Sequence, residues 1–265
     1  MPINIIVCVK QVVDPETPAS AFKVDREAKR VVPASGVPPV VNGFDENAVE
    51  LALRLRDAHG GKVTALSLGT DFVMDVMKKP LSMGADDLVL LRDSSFSNID
   101  SFGTAVALAA AIRKIGNYDL ILCGRQASDW DNAQVPLGLA ELLGLPSITT
   151  AKSIQVRDKT LIVERALPDG YDVFETPFPA VVTVSNEAGQ PRYPTLRGIM
   201  MASRKTPITW GLSDLGLDAS AIASKLSLLD LFIPVTQKQC EFIEGENDAD
   251  AGRKLALKLR EAKLI

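Results

Sequence analysis

The sequence Asp119-Leu120-Ile121-Leu122-Cys123 is an apolar run, and it passes directly into the polar run Gly124-Arg125-Gln126-Ala127-Ser128-Asp129-Trp130-Asp131-Asn132-Ala133-Gln134-Val135. A helix-like pattern follows this polar run. A strand that ends at a glycine and opens into a helix places backbone N–H groups around an anion, usually a phosphate. We therefore expect a strand, a phosphate-binding loop and a helix here, with Gly124 leaving room for the phosphate.

Strand and helix patterns alternate along the first half of the chain. The predicted strands lie within 1–10 and over 62–68, 88–91 and 119–123, and the predicted helices lie over 45–59, 71–84 and 101–115. Each strand is a continuous apolar run, which is typical of a parallel sheet covered by helices on both faces. The pattern predicts an α/β fold with a doubly wound, mostly parallel, Rossmann-like sheet.

The order of these strands decides where a ligand would bind. In the common order 3-2-1-4, the first and fourth strands are neighbours and the chain leaves them toward opposite faces of the sheet. The crevice at this switch point would be lined by Val9 and Lys10, by Asn42-Gly43-Phe44-Asp45, and by 124–135. Three separate segments are thus expected to converge on one site.

In the second half of the chain, short strand-like runs with turn residues between them replace the alternation of strands and helices. Strand-like pieces at 154–156, 160–163 and 180–184 are expected to extend or cap the sheet, and an amphipathic helix is predicted over 248–263. We assign 1–210 to a nucleotide-binding domain and 211–265 to a C-terminal connector and helix. This tail either packs on its own domain or serves as an arm around a partner subunit.

Composition excludes several classes of protein. The formal net charge of −4 argues against a nucleic-acid surface, which needs clustered Lys and Arg. The three cysteines lack a CxxC spacing and predict reduced thiols in the cytoplasm. We expect no direct membrane insertion, because no apolar run approaches the length of about 20 residues that spans a bilayer.

No catalytic machinery is evident in the sequence. The motifs GxGxxG, GxxxxGK[ST], GxSxG and HExxH are absent. The single histidine, His59, precedes Gly60-Gly61 at the predicted C-terminal end of a helix. We expect its role there to be a favourable interaction with the negative end of the helix dipole. Asp129 and Asp131 could bind a hard cation, but no further acidic residue is spaced to complete a shell. We predict no catalytic residue and no metal.

Several short motifs together resemble the β subunit of electron-transfer flavoprotein over nearly the whole chain. They are Val7-Cys8-Val9-Lys10-Gln11-Val12, Asn42 with 46–53, Met83-Gly84-Ala85-Asp86, Gly124-Arg125-Gln126-Ala127 with Asp129 and Asp131, and Pro191-Arg192-Tyr193 with Ile199-Met200. The resemblance implies an electron carrier, not a stand-alone enzyme. It implies a heterodimer with an α subunit that carries most of the FAD contacts, and exchange with a flavin-dependent dehydrogenase or quinone oxidoreductase.

The resemblance also implies a nucleotide in the β subunit, either AMP or, in electron-bifurcating members, a second FAD. The residues implied at the adenine end are Cys8, Asn42, Gly43, Phe44, Asp45 and Leu68, and Lys10 is a further residue implied in the site. Those implied around the phosphates are Gly124, Arg125, Gln126, Ala127, Ser128, Asp129, Asp131, Asn132, Ala133, Gln134 and Val135. Trp130 stands where bifurcating members usually have glycine, whereas Ala133-Gln134-Val135 matches those members, so AMP and FAD both stay open.

A partner-recognition loop is implied at Asn186, Glu187, Ala188, Gly189 and Gln190. In the family, a leucine of this loop enters a pocket of the dehydrogenase, and Ala188 stands at its place. An alanine buries less apolar area, at a loss of about 1 to 2 kcal/mol, which predicts a different partner or docking mode. The alternative function is a universal-stress-type nucleotide-binding regulator, which would form homo-oligomers and leave the tail without a purpose.

Overall fold

A nine-stranded sheet forms the centre of the protein. The structure is a computed structural model, and it describes residues 2–235 and 240–265. The strands are β1 (Ile3–Cys8), β2 (Gln11–Val12), β3 (Lys23–Asp25), β4 (Arg30–Val32), β5 (Val40–Val41), β6 (Gly61–Gly69), β7 (Asp87–Arg92), β8 (Leu120–Gly124), β9 (Ser147–Arg157), β10 (Thr160–Leu167), β11 (Gly170–Pro177), β12 (Ala180–Val184) and β13 (Ile208–Trp210). The helices are α1 (Gly43–His59), α2 (Met74–Met77), α3 (Lys79–Met83), α4 (Ser101–Ile115), α5 (Val135–Leu143), α6 (Leu196–Arg204) and α7 (Asp248–Glu261).

The strand order confirms the predicted topology. The sheet runs β11-β10-β9-β12-β8-β1-β6-β7-β13, so the first four long strands take the order 3-2-1-4. In this order, every pair of neighbouring strands from β9 to β13 is parallel. Strand β10 pairs antiparallel with both β9 and β11. The fold is therefore α/β and doubly wound, with an antiparallel extension at one edge.

The central strands are continuous apolar runs because both faces of the sheet are covered. Every residue of β8 and of β12 is buried. On one face, α1 packs against alternate strand residues such as Val7 and Leu122. On the other face, α4 and α5 pack against the residues between them, such as Ile6 and Ile121. This two-sided burial is what the unbroken apolar pattern predicts.

Two local predictions were wrong. The segment predicted as one helix over 71–84 forms two short helices, α2 and α3, with Pro80 at the start of the second, because proline lacks the N–H that a continuous helix needs. Strand β11 was missed, since its side chains are mostly exposed or half-buried and include Asp172 and Glu175. The turn sequence Pro168-Asp169-Gly170 before it was an available signal for a hairpin.

The proline-rich segment 31–41 closes back onto the end of β1. Strand β5 pairs with β2, so that Gln11 lies opposite Val41. The N–H of Asn42 then donates to the carbonyl of Lys10 at 2.9 Å. The loop predicted from the prolines therefore delivers the start of α1 to the carboxyl end of β1.

The chain divides into two compact units, one that ends at Asp230 and one over Leu231–Ile265. The predicted boundary at 210 differs from this division, because Leu212 and Ile222 are buried in the core on the α4 side. In the second unit, the Asn247 side chain caps α7 by accepting from the N–H of Asp250 at 3.0 Å, and no residue of α7 is buried. Within the described residues, no helix combines the length and apolar character that crossing a bilayer requires.

Candidate nucleotide site at the β1–β8 switch point

The three predicted segments meet at the carboxyl ends of β1 and β8. These strands are parallel neighbours, with Cys8 opposite Cys123. After β1 the chain enters α1 on one face of the sheet, and after β8 it enters α5 on the other face. This is the switch point where ligands bind in open α/β sheets.

Asp45 is the side chain that joins the three segments. Its Oδ2 accepts the N–H of Lys10 at 2.8 Å, and its Oδ1 accepts the N–H of Gly124 at 3.0 Å. Asp45 lies in the first turn of α1, where the helix dipole favours a negative charge. One buried carboxylate thus fixes the ends of both strands relative to the helix.

The ionisation of Asp45 is finely balanced. Burial raises its pKa from 3.8 to about 7, although hydrogen bonds from Asn42, Lys10 and Gly124 and the charge of Lys10 act in the opposite direction. Because both oxygens accept N–H groups, protonation would turn one acceptor into a hydroxyl. The geometry of the crevice is therefore linked to the protonation of one group.

Asn42 holds the loop that follows β8. It is 1% exposed, its Nδ2 donates to the carbonyl of Gln126 at 2.8 Å, and its Oδ1 accepts the N–H of Ser128 at 3.2 Å. Asn42 occupies the N-cap position of α1, but its side chain makes no capping bond. Its amide is instead used to hold the predicted phosphate loop.

Charged and polar side chains line the rim of the crevice. The Nζ of Lys10 lies 2.8 and 2.7 Å from the two carboxylate oxygens of Asp129, and Gln126 donates to Asp131 at 2.8 Å. The guanidinium of Arg125 lies over the ring of Phe44, 5.1 Å from its centre. The two cations and the two carboxylates nearly cancel, so the side chains alone give this rim little net charge.

The end of the loop offers backbone donors to an anion. Asp131 and Ala133 have left-handed φ values of +50° and +54°, and Gln134 returns to a right-handed conformation. A change of hand between consecutive residues turns their N–H groups toward one point. The N–H groups of 132–135 donate to no acceptor within residues 2–235 and 240–265.

The start of α5 adds the N–H of Leu137 to this set of donors, whereas Pro136 has none. Gln134 occupies its N-cap position and makes no side-chain capping bond. The first N–H groups of a helix need a partner from outside the helix, and a phosphate is a suitable one. The residues present therefore fit a phosphate group, and no cluster of three possible metal ligands occurs in the described part of the chain.

The structure corrects the expected role of Gly124. A Cβ at this position would overlap Oδ1 of Asp45 and lie 2.8 Å from the backbone carbon and the Cβ of Phe44. The glycine is thus required for close packing of β8 against the start of α1, not for the approach of a phosphate. The remaining predicted residues, Cys8 and Leu68, are half-buried at the ends of β1 and β6 and pack against the core on the α4 side.

The loop over 186–190 is tied to α1. The Nη1 of Arg54 donates to the carbonyl of Ala188 at 3.1 Å, and Nδ2 of Asn47 donates to that of Gly189 at 2.7 Å. Ala188 is 8% exposed and packs in the core, so its side chain is not presented to a partner as the resemblance implied. The exposed members of the loop are Asn186, Glu187, Gly189 and Gln190.

A network of ion pairs around the buried Glu50, beside this loop, was not predicted. Glu50 is 5% exposed and accepts from Arg192 at 2.8 Å and from Arg54 at 2.7 Å. Burial acts to raise the pKa of Glu50, but hydrogen bonds from Arg192 and Arg54 outweigh it and hold that pKa below its ordinary value. The available signal was a glutamate four residues before an arginine on the same face of the predicted helix.

The fold and this crevice define a doubly wound α/β protein with a loop of backbone N–H donors at its switch point. Residues 30–215 match the family model described as electron transfer flavoprotein domain. The chain is 36% identical to an electron transfer flavoprotein subunit beta of Thermoanaerobacterium thermosaccharolyticum, over 99% of this chain and 100% of that one. It is 41% identical to the electron transfer flavoprotein subunit beta of Megasphaera elsdenii, over 84% of this chain and 80% of that one.

A third relative is the caffeyl-CoA reductase-Etf complex subunit CarD of Acetobacterium woodii, which is 35% identical over 99% of this chain and 100% of its own length. The chain belongs to the electron transfer flavoprotein family, and its relatives place it among the β subunits. The resemblance seen in the sequence is confirmed, and the universal-stress alternative has no support from these matches.

The close packing at Gly124 predicts a stability cost for a single methyl group. Gly124→Ala should lower the free energy of unfolding by about 1 to 3 kcal/mol, because the added methyl group would force the start of α1 or the end of β8 to move. Gly43→Ala is the matched control, since a Cβ there meets no atom within 4 Å, and it should be neutral or stabilising by up to about 1 kcal/mol. Urea denaturation measures both, and equal stabilities of the two variants would contradict the packing role.

The raised pKa of Asp45 predicts a pH dependence of stability. The folded protein holds this proton up to about pH 7, whereas the unfolded chain releases it near 3.8. The stabilisation is therefore fully present below the unfolded pKa and is lost as pH rises through the folded pKa. Relative to Asp45→Asn, the wild type should lose roughly 4 kcal/mol across this window.

Thermal or urea unfolding between pH 4 and 8 measures this difference. Gly170→Ala is the control, because it removes no titratable group and places its Cβ in open space on β11, far from the crevice, and its profile should stay parallel to that of the wild type. A parallel profile for Asp45→Asn as well would show that Asp45 does not titrate in this range.

Proposed function

We propose that this chain is the β subunit of a heterodimeric electron-transfer flavoprotein. It shuttles electrons between a flavin-dependent dehydrogenase and a redox acceptor such as a quinone oxidoreductase. The FAD that carries the electrons is held mainly by the α subunit, and this chain shields it. Family membership supports the electron-transfer role, and the three free cysteines support a reducing location such as the cytoplasm.

The second part of the proposal is an adenine nucleotide in the β1–β8 crevice. The observation that carries it is the convergence of Lys10, Asn42–Asp45 and the loop 124–135, whose N–H groups over 132–135 have no acceptor in the part of the chain that the structure describes. The adenosine would lie toward Cys8, Asn42–Asp45 and Leu68, and the phosphates toward the loop. This nucleotide has a structural role if it is AMP and a redox role if it is a second FAD.

The third part concerns two protein partners. Leu226, Leu229, Ile233, Val235 and Phe242 are between 50% and 92% exposed. A run of exposed apolar side chains of this kind marks a protein interface, and we assign the C-terminal segment to the α subunit. We assign the exposed residues of the loop 186–190 to the redox partner, with Ala188 supporting the loop from beneath.

Nucleotide identity is the direct test of the crevice. Denaturation of the purified heterodimer should release an adenine compound, identified by chromatography. One flavin in each heterodimer together with AMP supports the structural nucleotide, and two flavins support a second FAD. Complex that carries its flavin but releases no AMP and no second FAD would contradict the proposal.

Lys10 and Asp129 should have opposite effects on AMP affinity. In nucleotide-depleted protein, Lys10→Ala should weaken binding about tenfold or more, because a charged hydrogen bond contributes about 1.5 to 3 kcal/mol. Asp129→Asn should leave affinity unchanged or raise it, because it removes a carboxylate that competes with the phosphate for Lys10. Isothermal titration calorimetry measures both.

Lys62→Ala is the matched control for this pair. Lys62 forms an ion pair with Asp87 at the amino ends of β6 and β7, away from the carboxyl ends where the crevice lies, so its loss should leave AMP affinity unchanged. Equal weakening by Lys10→Ala and Asp129→Asn would show that their ion pair only maintains the fold of the loop.

Deletion of 231–265 should weaken or abolish the heterodimer, because it removes apolar surface from the subunit interface. Alanine at Asn186 and Gln190 should leave the flavin-containing dimer intact and slow electron exchange with the redox partner. Size-exclusion chromatography with flavin absorbance reports assembly, and partner-dependent dye reduction reports docking. A truncated chain that still forms a stable, flavin-containing heterodimer would contradict the assignment of the tail.

A further inference from the structure

Two of the cysteines lie side by side at the base of the crevice. Cys8, the last residue of β1, is the register partner of Cys123 in β8. Parallel strands lie about 4.8 Å apart, within the Cα separation of about 4.4 to 6.8 Å that a disulfide spans. Both side chains pack against the same core on the α4 side, so both point to the same face of the sheet.

The two thiols differ in their access to solvent. Cys123 is 4% exposed, and Cys8 is half-buried beside the crevice. A side-chain hydrogen bond with Cys8, together with burial, raises the pKa of Cys123 well above its ordinary value. An oxidant from solvent therefore reaches Cys8 first, and Cys123 is the nearest group that can resolve the product.

We propose that Cys8 and Cys123 form a redox-active dithiol, which hydroperoxides oxidise to an intramolecular disulfide. The Cys8 sulfur attacks the peroxide, the O–O bond breaks, and Cys8 becomes a sulfenic acid while water or an alcohol leaves. The Cys123 sulfur then attacks the Cys8 sulfur, the S–O bond breaks, and the hydroxide leaves as water with the proton of Cys123. The two thiols lose two electrons and two protons, which the hydroperoxide takes up.

This disulfide acts directly on the crevice. Lys10 follows Cys8 closely along the chain and Gly124 follows Cys123, and Asp45 joins the N–H groups of both. The Cβ atoms of register partners on parallel strands lie about one strand spacing apart, which exceeds the usual Cβ separation of about 3.8 Å in a disulfide. Bond formation draws the two strand ends together, and a strained bond of this kind is readily reduced.

Peptide mapping of the full chain tests the dithiol. After treatment with hydrogen peroxide and alkylation under denaturing conditions, the Cys8 and Cys123 peptides should be linked, with a mass lower by two hydrogen atoms, and dithiothreitol should separate them. A Cys240→Ser background removes the exposed third thiol. Peroxide that modifies Cys8 while Cys123 stays open to alkylation would overturn the proposal, as would a Cys8 that does not react.

Two variants define the order of the steps. Cys8→Ser should prevent oxidation of Cys123, and Cys123→Ala should leave a sulfenic acid on Cys8 that dimedone traps. Oxidation of Cys123 in the absence of Cys8 would overturn the assigned order. The mapping of the unmutated chain stands by itself if either variant fails to fold.

The link to the crevice rests on the proposed function and has its own readout. AMP at 100 times its Kd should slow disulfide formation by up to about 100-fold, because only the unliganded fraction exposes Cys8. A disulfide that forms at the same rate with and without bound AMP would overturn the link to the crevice. AMP binding with no disulfide would overturn the dithiol and leave the proposed nucleotide site standing.

Discussion

One buried carboxylate determines the geometry of the site. Asp45 accepts a backbone N–H from the end of each of two neighbouring strands while it occupies the first turn of α1. If Asp45 were absent, the N–H groups of Lys10 and Gly124 would lose their hydrogen-bond acceptor in a buried or half-buried place. Each lost bond would lower the free energy of unfolding by about 1 to 3 kcal/mol. The position of the loop 124–135, the place of Lys10 and the packing of Gly124 all depend on this contact.

The electrostatics of the crevice follow from the same arrangement. Lys10 pairs with Asp129, and the charge of Arg125 offsets that of Asp131, so the side chains of the rim carry little net charge. Attraction for an anion must come mainly from the N–H groups of 132–135 and from the start of α5. Backbone donors are fixed in place by the fold, so they need no rearrangement when a phosphate binds.

Much of this could be predicted from the sequence, because buried parallel strands have an unmistakable pattern of continuous apolar residues. That pattern predicted the strands, and the common order 3-2-1-4, taken for them as a hypothesis, brought Lys10, Asn42–Asp45 and the loop together. The roles of individual residues could not be predicted in the same way. Asp45 was indistinguishable from an ordinary acidic residue at a helix start, and Gly124 was indistinguishable from a phosphate-loop glycine. Ala188 and the pair Glu50–Arg192 depend on contacts between segments far apart in the chain, which local periodicity does not encode.

The account centres on an adenine nucleotide in the β1–β8 crevice of a β subunit. A crystal structure of the heterodimer, purified without added nucleotide, tests this claim most directly. We predict density for an adenine nucleotide with a phosphate within hydrogen-bonding distance of the N–H groups of 132–135 and the adenosine beside Asn42–Asp45. A crevice that holds only water, or one closed by side chains of the α subunit, would contradict the account.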